Sequence, residues 1–152
     1  MILFPLLVCC GCSDSPRPTD LPPLFPCTIS VTQGGAPLAD AYVELVSPDV
    51  PKYRPSATTD ASGNAAILTY GYPGAPAGKY KILVRKNVED DIVYGKDAYG
   101  EQFVVSSNIY KLVEDNYADV EKTPHEIEIT SKKSRVTVDV GTAIRNKIVE
   151  TR

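Results

Sequence analysis

The chain has 152 residues, of which 43% are hydrophobic and 23% are charged, and its formal net charge is −3. This length fits one domain with a hydrophobic core and is short for two. The slight acidic excess argues against a nucleic-acid-binding surface, because phosphate binding needs clustered lysine and arginine. The 13 prolines and 10 glycines cluster between runs of alternating apolar residues, which favours an all-β domain with many turns.

The chain begins with an apolar, uncharged run, MILFPLLV, followed by the sequence CCGC. A helix needs about 20 residues to cross a bilayer, so we interpret residues 1–11 as a secretory signal instead. Gly11 before Cys12 resembles the lipobox of bacterial lipoproteins, in which this cysteine is lipidated and becomes the new N-terminus. Pro5 interrupts the apolar run and no basic residue precedes it, so we expect the true start to lie upstream. The alternative is an uncleaved segment with three ordinary thiols.

The lipobox resemblance implies a lipid anchor on Cys12 and a place in the cell envelope. Ser13 follows the cysteine, where Asp would favour retention at the inner membrane, so the outer membrane is favoured. Two or three acyl chains give stable attachment, since each buried methylene contributes ~0.8 kcal/mol. Residues 12–26 are rich in proline, which predicts an extended tether. The alternative for residues 21–26 is packing along the edge of the domain.

Apolar residues alternate with polar ones in short runs along the next part of the chain, which we assign to one domain, residues 27–141. Such alternation between Gly, Pro, Asn and Asp turns predicts half-buried antiparallel strands. About seven strands at this spacing suit an all-β fold, an Ig-like or prealbumin-like antiparallel β-sandwich with one short helix. Residues 131–134 then form a hairpin connection, and residues 142–152 form a charged tail. The predicted strands are 27–32, 40–46, 57–59, 65–70, 79–86, 126–130 and 135–140.

Three motifs in this domain carry a family resemblance: GAPLADAYV, TDASGNA and PAGKYKILV, which begin at Gly35, Thr59 and Pro76. Together they resemble the carboxypeptidase regulatory-like (transthyretin-like, prealbumin-like) domain, and more narrowly the small bacterial lipoproteins that carry it. The resemblance covers residues 27–86 and continues more weakly to residue 141. It implies a β-sandwich that is non-catalytic and displayed with other proteins. Ala65 stands where many members have an aromatic residue, which implies looser packing at the centre.

Residues 87–101 are acidic and rich in tyrosine, and they predict a long exposed loop or an irregular hairpin. Long loops on a β-scaffold commonly carry binding sites. Acidic and tyrosine side chains together suit a sugar, a cation or a basic partner, and the alternative is a merely solvated loop. The candidate binding residues are Asp90, Asp91, Tyr94, Asp97, Tyr99 and Glu101.

Apolar residues after this segment recur at helical spacing, which predicts a short helix or a turn of helix near residues 107–117 that covers one sheet edge. Ser107 is available as its N-cap, and Pro124 bars its continuation. The apolar residues concerned are Ile109, Leu112, Val113 and Tyr117.

The residues that carry most enzyme and metal chemistry are scarce. Once a signal is removed and Cys12 is lipidated, Cys27 is the remaining thiol, and its place in a strand favours a buried small hydrophobe over a nucleophile. His125 is the one histidine, with no Ser or Cys arrangement around it that suggests a triad. One histidine and one buried cysteine do not make a zinc site. Asp60 and Asn64 predict a turn, since two oxygens are far fewer than calcium needs. We therefore expect no catalytic residue, no metal and no cofactor.

These observations predict a lipid-anchored, non-catalytic β-sandwich of the cell envelope that serves binding or structural interaction. Its partners are the membrane, through the anchor, and another envelope protein or a polysaccharide. The alternative is an oligomeric small-ligand carrier of the transthyretin-like type, which requires self-association. An enzyme, the third hypothesis, requires an ordered acidic pocket near residues 90–101.

Overall fold

In a computed structural model, which describes residues 17–151, nearly all regular structure is β. The helical structure in this range is one turn of 3₁₀ helix, Asp115–Ala118. The predicted signal, the lipidation site Cys12 and the start of the predicted tether lie outside the described residues. The strands are β1 Leu24–Phe25, β2 Cys27–Gln33, β3 Ala36–Pro37, β4 Tyr42–Val46, β5 Ser56–Thr58, β6 Asn64–Ala66, β7 Leu68–Thr69, β8 Tyr72–Pro73, β9 Ala75–Pro76, β10 Gly78–Arg85, β11 Asn87–Lys96, β12 Gln102–Lys111, β13 Glu126–Ile129, β14 Ser134–Asp139 and β15 Asn146–Thr151.

Two sheets enclose the core, and together they confirm the predicted all-β sandwich. The larger sheet is antiparallel and has the order β13-β10-β4-β5-β7-β8. The second sheet has the order β14-β2-β3, and β6 also pairs with β2. One pairing departs from the antiparallel expectation, because β14 runs parallel to β2, with Ser134 opposite Cys27 and Asp139 opposite Thr32.

The alternation in the sequence determines which side chains form the core. Every second residue of a strand points to the same face, and on β2, β4 and β10 that face carries the branched and aromatic residues. Each fully buried Val, Leu or Ile contributes about 1.5–3 kcal/mol relative to exposure. Ala65 is also fully buried, opposite Ile29. The large core side chains with the lowest exposure are Ile29, Val31, Val43, Leu45, Ile67, Tyr80, Ile82, Val84, Val113, Ile129, Val138 and Val140.

Buried threonines satisfy the backbone where irregular segments enter the core. Thr59 donates its hydroxyl to the carbonyl of Leu38 at 2.6 Å and accepts the amide of Ala41 at 2.8 Å. Thr123 donates to the carbonyl of Ile82 at 2.8 Å. A buried backbone group without a partner costs about 1–3 kcal/mol, so these hydroxyls allow the loops to pack tightly.

The end of the predicted tether packs on the domain. Leu21 is buried, and the short strand β1 pairs with β9, with Phe25 opposite Ala75. Phe25 also lies against the core. Residues 21–25 are therefore part of the folded body.

The helix predicted near residues 107–117 is wrong over most of its length, and one turn of 3₁₀ helix, Asp115–Ala118, lies at its end. Residues up to Lys111 belong to β12, in which Ile109 lies between Glu89 of β11 and Val149 of β15. The apolar residues beyond the strand do reach the core, since Val113 is buried and Tyr117 packs against it, but the segment that carries them is mostly irregular. The apolar residues are three and four positions apart because a strand is followed by a bend, and this spacing looks like that of a helix.

The hairpin predicted at residues 131–134 is also wrong. β13 pairs with β10 in the large sheet, whereas β14 pairs with β2 in the other sheet. The connection therefore crosses from one layer to the other. Alternation predicts that a segment is a strand, but it does not predict which other strand pairs with it. Two consecutive strands are not always paired.

Two further segments differ from the expectation of loop and tail. Residues 87–101 form β11 and a turn. Of the two predictions for this segment, the irregular hairpin is therefore the one that is confirmed. Residues 146–151, in the predicted charged tail, form β15, which pairs with β12 from Lys111 opposite Asn146 to Ser107 opposite Thr151.

The turn at residues 60–64 forms as its sequence predicts. Asp60 accepts the backbone amides of Ser62 and Asn64 through Oδ1, each at 2.9 Å, and Gly63 has a φ of +76°. A Cβ atom on Gly63 would lie 2.5 Å from the carbonyl oxygen of Val31. The turn therefore sits directly against β2, and only glycine fits there.

We expect Gly63→Ala to lower the free energy of unfolding by about 3 kcal/mol. A side chain in the left-handed region costs about 1–2 kcal/mol, and the contact with the β2 backbone adds to that cost. Gly35→Ala is the matched control, because Gly35 has a φ of +82° with nothing within 4 Å of its added Cβ. Urea unfolding of both variants measures the difference, and equal losses would show that the close approach to β2 is unimportant.

Candidate functional site

The hairpin of β11 and β12 stands clear of the sandwich. Lys86 alone separates β10 from β11, so the chain continues from the core sheet into the hairpin almost without a break. None of the residues 87–106 is buried. β15 accompanies β12 only from Ser107 to Lys111. The outer part of the hairpin, residues 92–106, is therefore exposed on both faces, and we name it the distal hairpin.

Most of the large apolar side chains that are exposed in the described chain lie in the distal hairpin. Tyr99 at the turn is 93% exposed, and Tyr94 and Phe103 are 57% and 50% exposed. Concentrated apolar exposure of this kind marks a contact surface, whereas scattered apolar residues need no explanation. The exposed apolar residues of the distal hairpin are Ile92, Val93, Tyr94, Tyr99, Phe103, Val104 and Val105.

Cross-strand pairing places these side chains on both faces of the hairpin. Tyr94 lies opposite Val104, and Gly95 lies opposite Phe103; successive pairs point to opposite faces. A Cβ atom on Gly95 would lie 2.8 Å from Val105 Cγ2 and 2.9 Å from Phe103 Cζ, so these two side chains lie across the glycine. The result is an apolar band around the hairpin.

Charged residues lie at the turn, beyond the apolar band. The turn follows Lys96 and contains Asp97 and Glu101. Asp97 accepts the amides of Tyr99 at 2.8 Å and of Glu101 at 2.9 Å through Oδ1. Its carboxylate therefore shapes the turn, and Tyr99 is presented at the very end of the hairpin.

A second polar group holds the base of the hairpin. Asp90 pairs with Arg145 at 2.7 Å, while Asp91 accepts hydrogen bonds from Asn108 at 3.1 Å and from the Tyr110 hydroxyl. The Arg145 guanidinium lies 3.9 Å from the centroid of the Tyr110 ring, a cation–π distance. These contacts connect β11 and β12 to the segment that precedes β15.

The same contacts shift the titration of the carboxyl groups at the base. The hydrogen bond from Arg145 lowers the pKa of Asp90, and in return it raises the pKa of Arg145. The hydrogen bonds from Tyr110 and Asn108 lower the pKa of Asp91. At neutral pH both carboxylates are therefore ionised and engaged in hydrogen bonds with these partners.

The structure divides the six residues proposed as a binding loop into separate groups. Asp90 and Asp91 belong to the base network, and Asp97 is held within the turn. Tyr94, Tyr99 and Glu101 are exposed in the distal hairpin. The acidic side chains do not form the joint pocket that the enzyme hypothesis requires.

The residues that sequence reasoning missed lie on β12 and before β15. Phe103, Val104 and Val105 lie between the predicted binding segment, which ends at Glu101, and the predicted helix, which begins near Ser107. The uncharged run QFVVSS, with its aromatic and β-branched residues, is the signal for a strand that was present. Nothing in the sequence places Arg145 beside Asp90, which lies 55 residues earlier in the chain.

The other residues considered for chemistry have structural roles. Cys27 is 4% exposed, and burial raises the pKa of its thiol to about 11, so the thiol stays protonated. His125 places Nε2 2.8 Å from the carbonyl oxygen of Asp139 and stacks on Tyr117, with ring centroids 5.6 Å apart. Within residues 17–151, no three His, Cys, Asp or Glu side chains lie close enough together to hold a metal ion.

Surface grooves outside the distal hairpin are open to solvent. One of about 160 Å³ lies between Lys86, Lys111 and Ile148, and another of about 330 Å³ is lined by Val46 and Lys81. Enclosed small-molecule pockets are commonly about 300–1,000 Å³. The distal hairpin is thus the most distinctive surface of the described residues.

In the described part of the chain, no helix has the length and apolar character needed to cross a membrane.

Comparison with known proteins adds little to this description. No family model matches the chain, and no curated protein matches it. Among solved structures, the chain is similar to a 9R-lipoxygenase from Cyanothece PCC8801, with a TM-score of 0.30 and 18% sequence identity. The likeness covers 86% of this chain but only 18% of the lipoxygenase chain. A likeness at this level establishes neither an activity nor a ligand for this chain.

The expectation that the domain is non-catalytic is nevertheless contradicted, because the solved structure that the comparison finds is an enzyme. We withdraw that expectation. The likeness is too weak to establish an enzymatic activity in its place. The resemblance to the carboxypeptidase regulatory-like domain stays a prediction from the sequence.

We expect the Asp90 carboxyl to titrate below its ordinary value of 3.8 and to move up towards that value in Arg145→Gln. Asp91 should move less, because its main hydrogen-bond donors are Tyr110 and Asn108. A lowered pKa in the folded state stabilises the fold above the ordinary value, and this contribution is lost as the pH falls through the lowered pKa.

Carboxyl ¹³C titration by NMR measures both groups. Arg135→Gln is the matched control, because it removes the same charge from an exposed position on β14. An Asp90 midpoint that does not respond to Arg145→Gln, or that responds equally to Arg135→Gln, would contradict the ion pair at the base of the hairpin.

Proposed function

We propose that this chain is a lipid-anchored β-sandwich of the cell envelope, at the outer rather than the inner membrane, which binds a macromolecular partner through its distal hairpin. The partner class is another envelope protein or a polysaccharide. The observation that carries the proposal is the apolar band on a hairpin that leaves the sandwich with no buried residue between Asn87 and Ser106.

Exposed aromatic side chains on a hydrogen-bonded hairpin are suited to binding. Tyr94 and Tyr99 present large surfaces with few rotatable bonds and a polar hydroxyl, which is why tyrosine is enriched at interfaces. The hydrogen-bonded turn at Asp97 and the base network at Asp90 and Asp91 fix the hairpin at both ends. A surface fixed in this way loses little conformational entropy when a partner binds.

The location rests on the sequence. Gly11-Cys12 resembles a lipobox, and the motifs of residues 35–84 resemble a domain found in small bacterial lipoproteins. The folded body begins close to the anchor, since Leu21 is already buried. A short tether of this kind would hold the sandwich near the membrane surface and present the hairpin to other envelope components.

We expect the mature protein to enter the detergent phase on phase partitioning and Cys12→Ala to remain in the aqueous phase. Lipid on Cys12 supplies buried acyl chains, and the substitution removes the atom that carries them. Cys27→Ala is the control for loss of a thiol alone. Mass spectrometry of the N-terminus identifies the modification, and a wild-type protein that stays aqueous with residues 1–11 attached would contradict the anchor.

We expect a photoreactive amino acid at position 94 to crosslink to a partner on intact cells. Tyr94 lies in the apolar band and is 57% exposed, whereas Tyr70 on the sandwich is 61% exposed and provides the matched control. Crosslinks from position 94 that are absent from position 70 support the distal hairpin as the contact surface. Equal crosslinking from both positions, or none from position 94, would contradict it.

A further inference from the structure

Glu44 is buried although it lies on the outer face of the large sheet. Val43 and Leu45, its neighbours on β4, are fully buried in the core, so the Glu44 side chain points to the opposite face. That side chain is only 11% exposed, and Leu83, which lies opposite Glu44 on β10, is 3% exposed. A carboxylate in such surroundings needs a charged partner, because it has lost most of its hydration.

Two arginines pair with this one carboxylate, one on each oxygen. Arg54 Nη1 lies 3.1 Å from Glu44 Oε1, and Arg85 Nη1 lies 3.3 Å from Glu44 Oε2. Arg85 reaches the carboxylate from the end of β10, and Arg54 reaches it from the connection that precedes β5. Glu44 therefore holds two guanidinium groups near each other, and we name Arg54 and Arg85 the arginine pair.

One positive charge of the arginine pair is left without compensation, because two guanidinium groups share a single carboxylate. Arg85 also contacts the 3₁₀ turn, where its Nη2 donates to the carbonyl of Ala118 at 3.4 Å. The carboxylates on either side of that contact, Asp115 and Asp119, are already paired with lysines of their own. The surplus charge on this face thus stands out in a chain whose formal net charge is −3.

Both guanidinium groups are half open to solvent and keep donors to spare. The side chains of Arg54 and Arg85 are 59% and 45% exposed. A guanidinium has five N–H donors in a fixed fork. Within the described residues, Arg54 uses one of them on Glu44, and Arg85 uses one on Glu44 and one on Ala118. The pair therefore suits a further acceptor that carries negative charge and several oxygens.

We propose that the arginine pair binds a phosphate group. A phosphate offsets the surplus charge, and its terminal oxygens match the fork of each guanidinium better than a point charge does. Glu44 fixes the two guanidinium groups beforehand, so less side-chain entropy is lost on binding. The site lies on the large sheet, outside the distal hairpin, and the inference goes beyond the proposed function without depending on it.

The first test follows the side-chain Nε–H signals of the ¹⁵N-labelled full chain by NMR during titration with inorganic phosphate. Ionic strength is kept constant with sodium chloride, because screening alone weakens the attraction between charges. We expect saturable shifts at Arg54 and Arg85, with a dissociation constant on the order of 1 mM. Arg135, exposed on β14, is the internal control and should not shift. Acetate, which has only two oxygens, should bind roughly tenfold more weakly.

The second test removes one arginine at a time. Arg54→Gln and Arg85→Gln should each weaken phosphate binding by roughly tenfold or more, since each takes away a charged donor group. Either variant leaves the other arginine to pair with Glu44, and urea unfolding midpoints check that both are folded. Arg135→Gln is the matched control, because it removes the same charge away from the pair and should leave the affinity unchanged.

A third arm identifies the source of the phosphate group. Full-length Cys12→Ala, which carries no lipid on position 12, is sedimented with vesicles of phosphatidylglycerol. Vesicle binding that Arg54→Gln abolishes assigns the group to a lipid headgroup. Vesicle binding that is absent, or that this substitution leaves unchanged, assigns it to a soluble phosphate compound.

Four results would overturn the inference: no saturable shift at either arginine up to about 20 mM phosphate, an equal shift at Arg135, acetate binding as strong as phosphate binding, or unchanged affinity in both Arg54→Gln and Arg85→Gln. None of them bears on the proposed function, because Tyr94 and its crosslinks belong to the distal hairpin. Conversely, loss of those crosslinks would leave a phosphate site at the arginine pair in place.

Discussion

Burial of alternate side chains from β2, β4 and β10 in one core is the constraint on which the rest of this structure depends. It fixes the register of β10, because Tyr80, Ile82 and Val84 have to face inwards. β11 then continues the line of β10 after a single residue. A strand is stiff along its length and rises about 3.3 Å per residue, so the hairpin is carried well beyond the edge of the core. The exposed band is thus a direct result of where the core ends.

The polar contacts of the hairpin complement this apolar scaffold. Near the core, Ser107 is buried and hydrogen-bonded to Glu89, and Lys86 donates to the carbonyl of Ala39 at 2.7 Å. Further out, Asp90 and Asp91 are tied to Arg145 and Tyr110. Beyond these contacts the apolar band begins, and it extends to the turn that Asp97 shapes. A rigid base with an apolar outer part is the arrangement that a contact surface needs, since the surface is presented without being buried in its own fold.

The sequence predicts the sandwich well because its strands follow simple rules. Alternation around Val43, Ile82 and Val138 and the Asp60–Gly63 turn are local features, and each appears in the structure as expected. The remainder depends on pairings between distant residues. Neither the parallel neighbour of β14 nor the place of β15 can be read from alternation, and the apolar residues around Ile109 fit a helix as well as they fit a strand. The candidate site is predicted only in part for the same reason. The sequence identifies its acidic and tyrosine residues, but Phe103 and Arg145 come near them only through contacts between distant parts of the chain.

The parallel pairing of β2 with β14 also has a consequence for how the protein is made. Thr32 and Asp139, which share a hydrogen bond in this pairing, are separated by 107 residues. The loop between them has to be ordered before the contact gives any stability, and such long-range pairing makes folding slow. As the chain emerges from the ribosome, β2 has no partner on that side until β14 has been synthesised. The second sheet is therefore completed only after β14 has been synthesised.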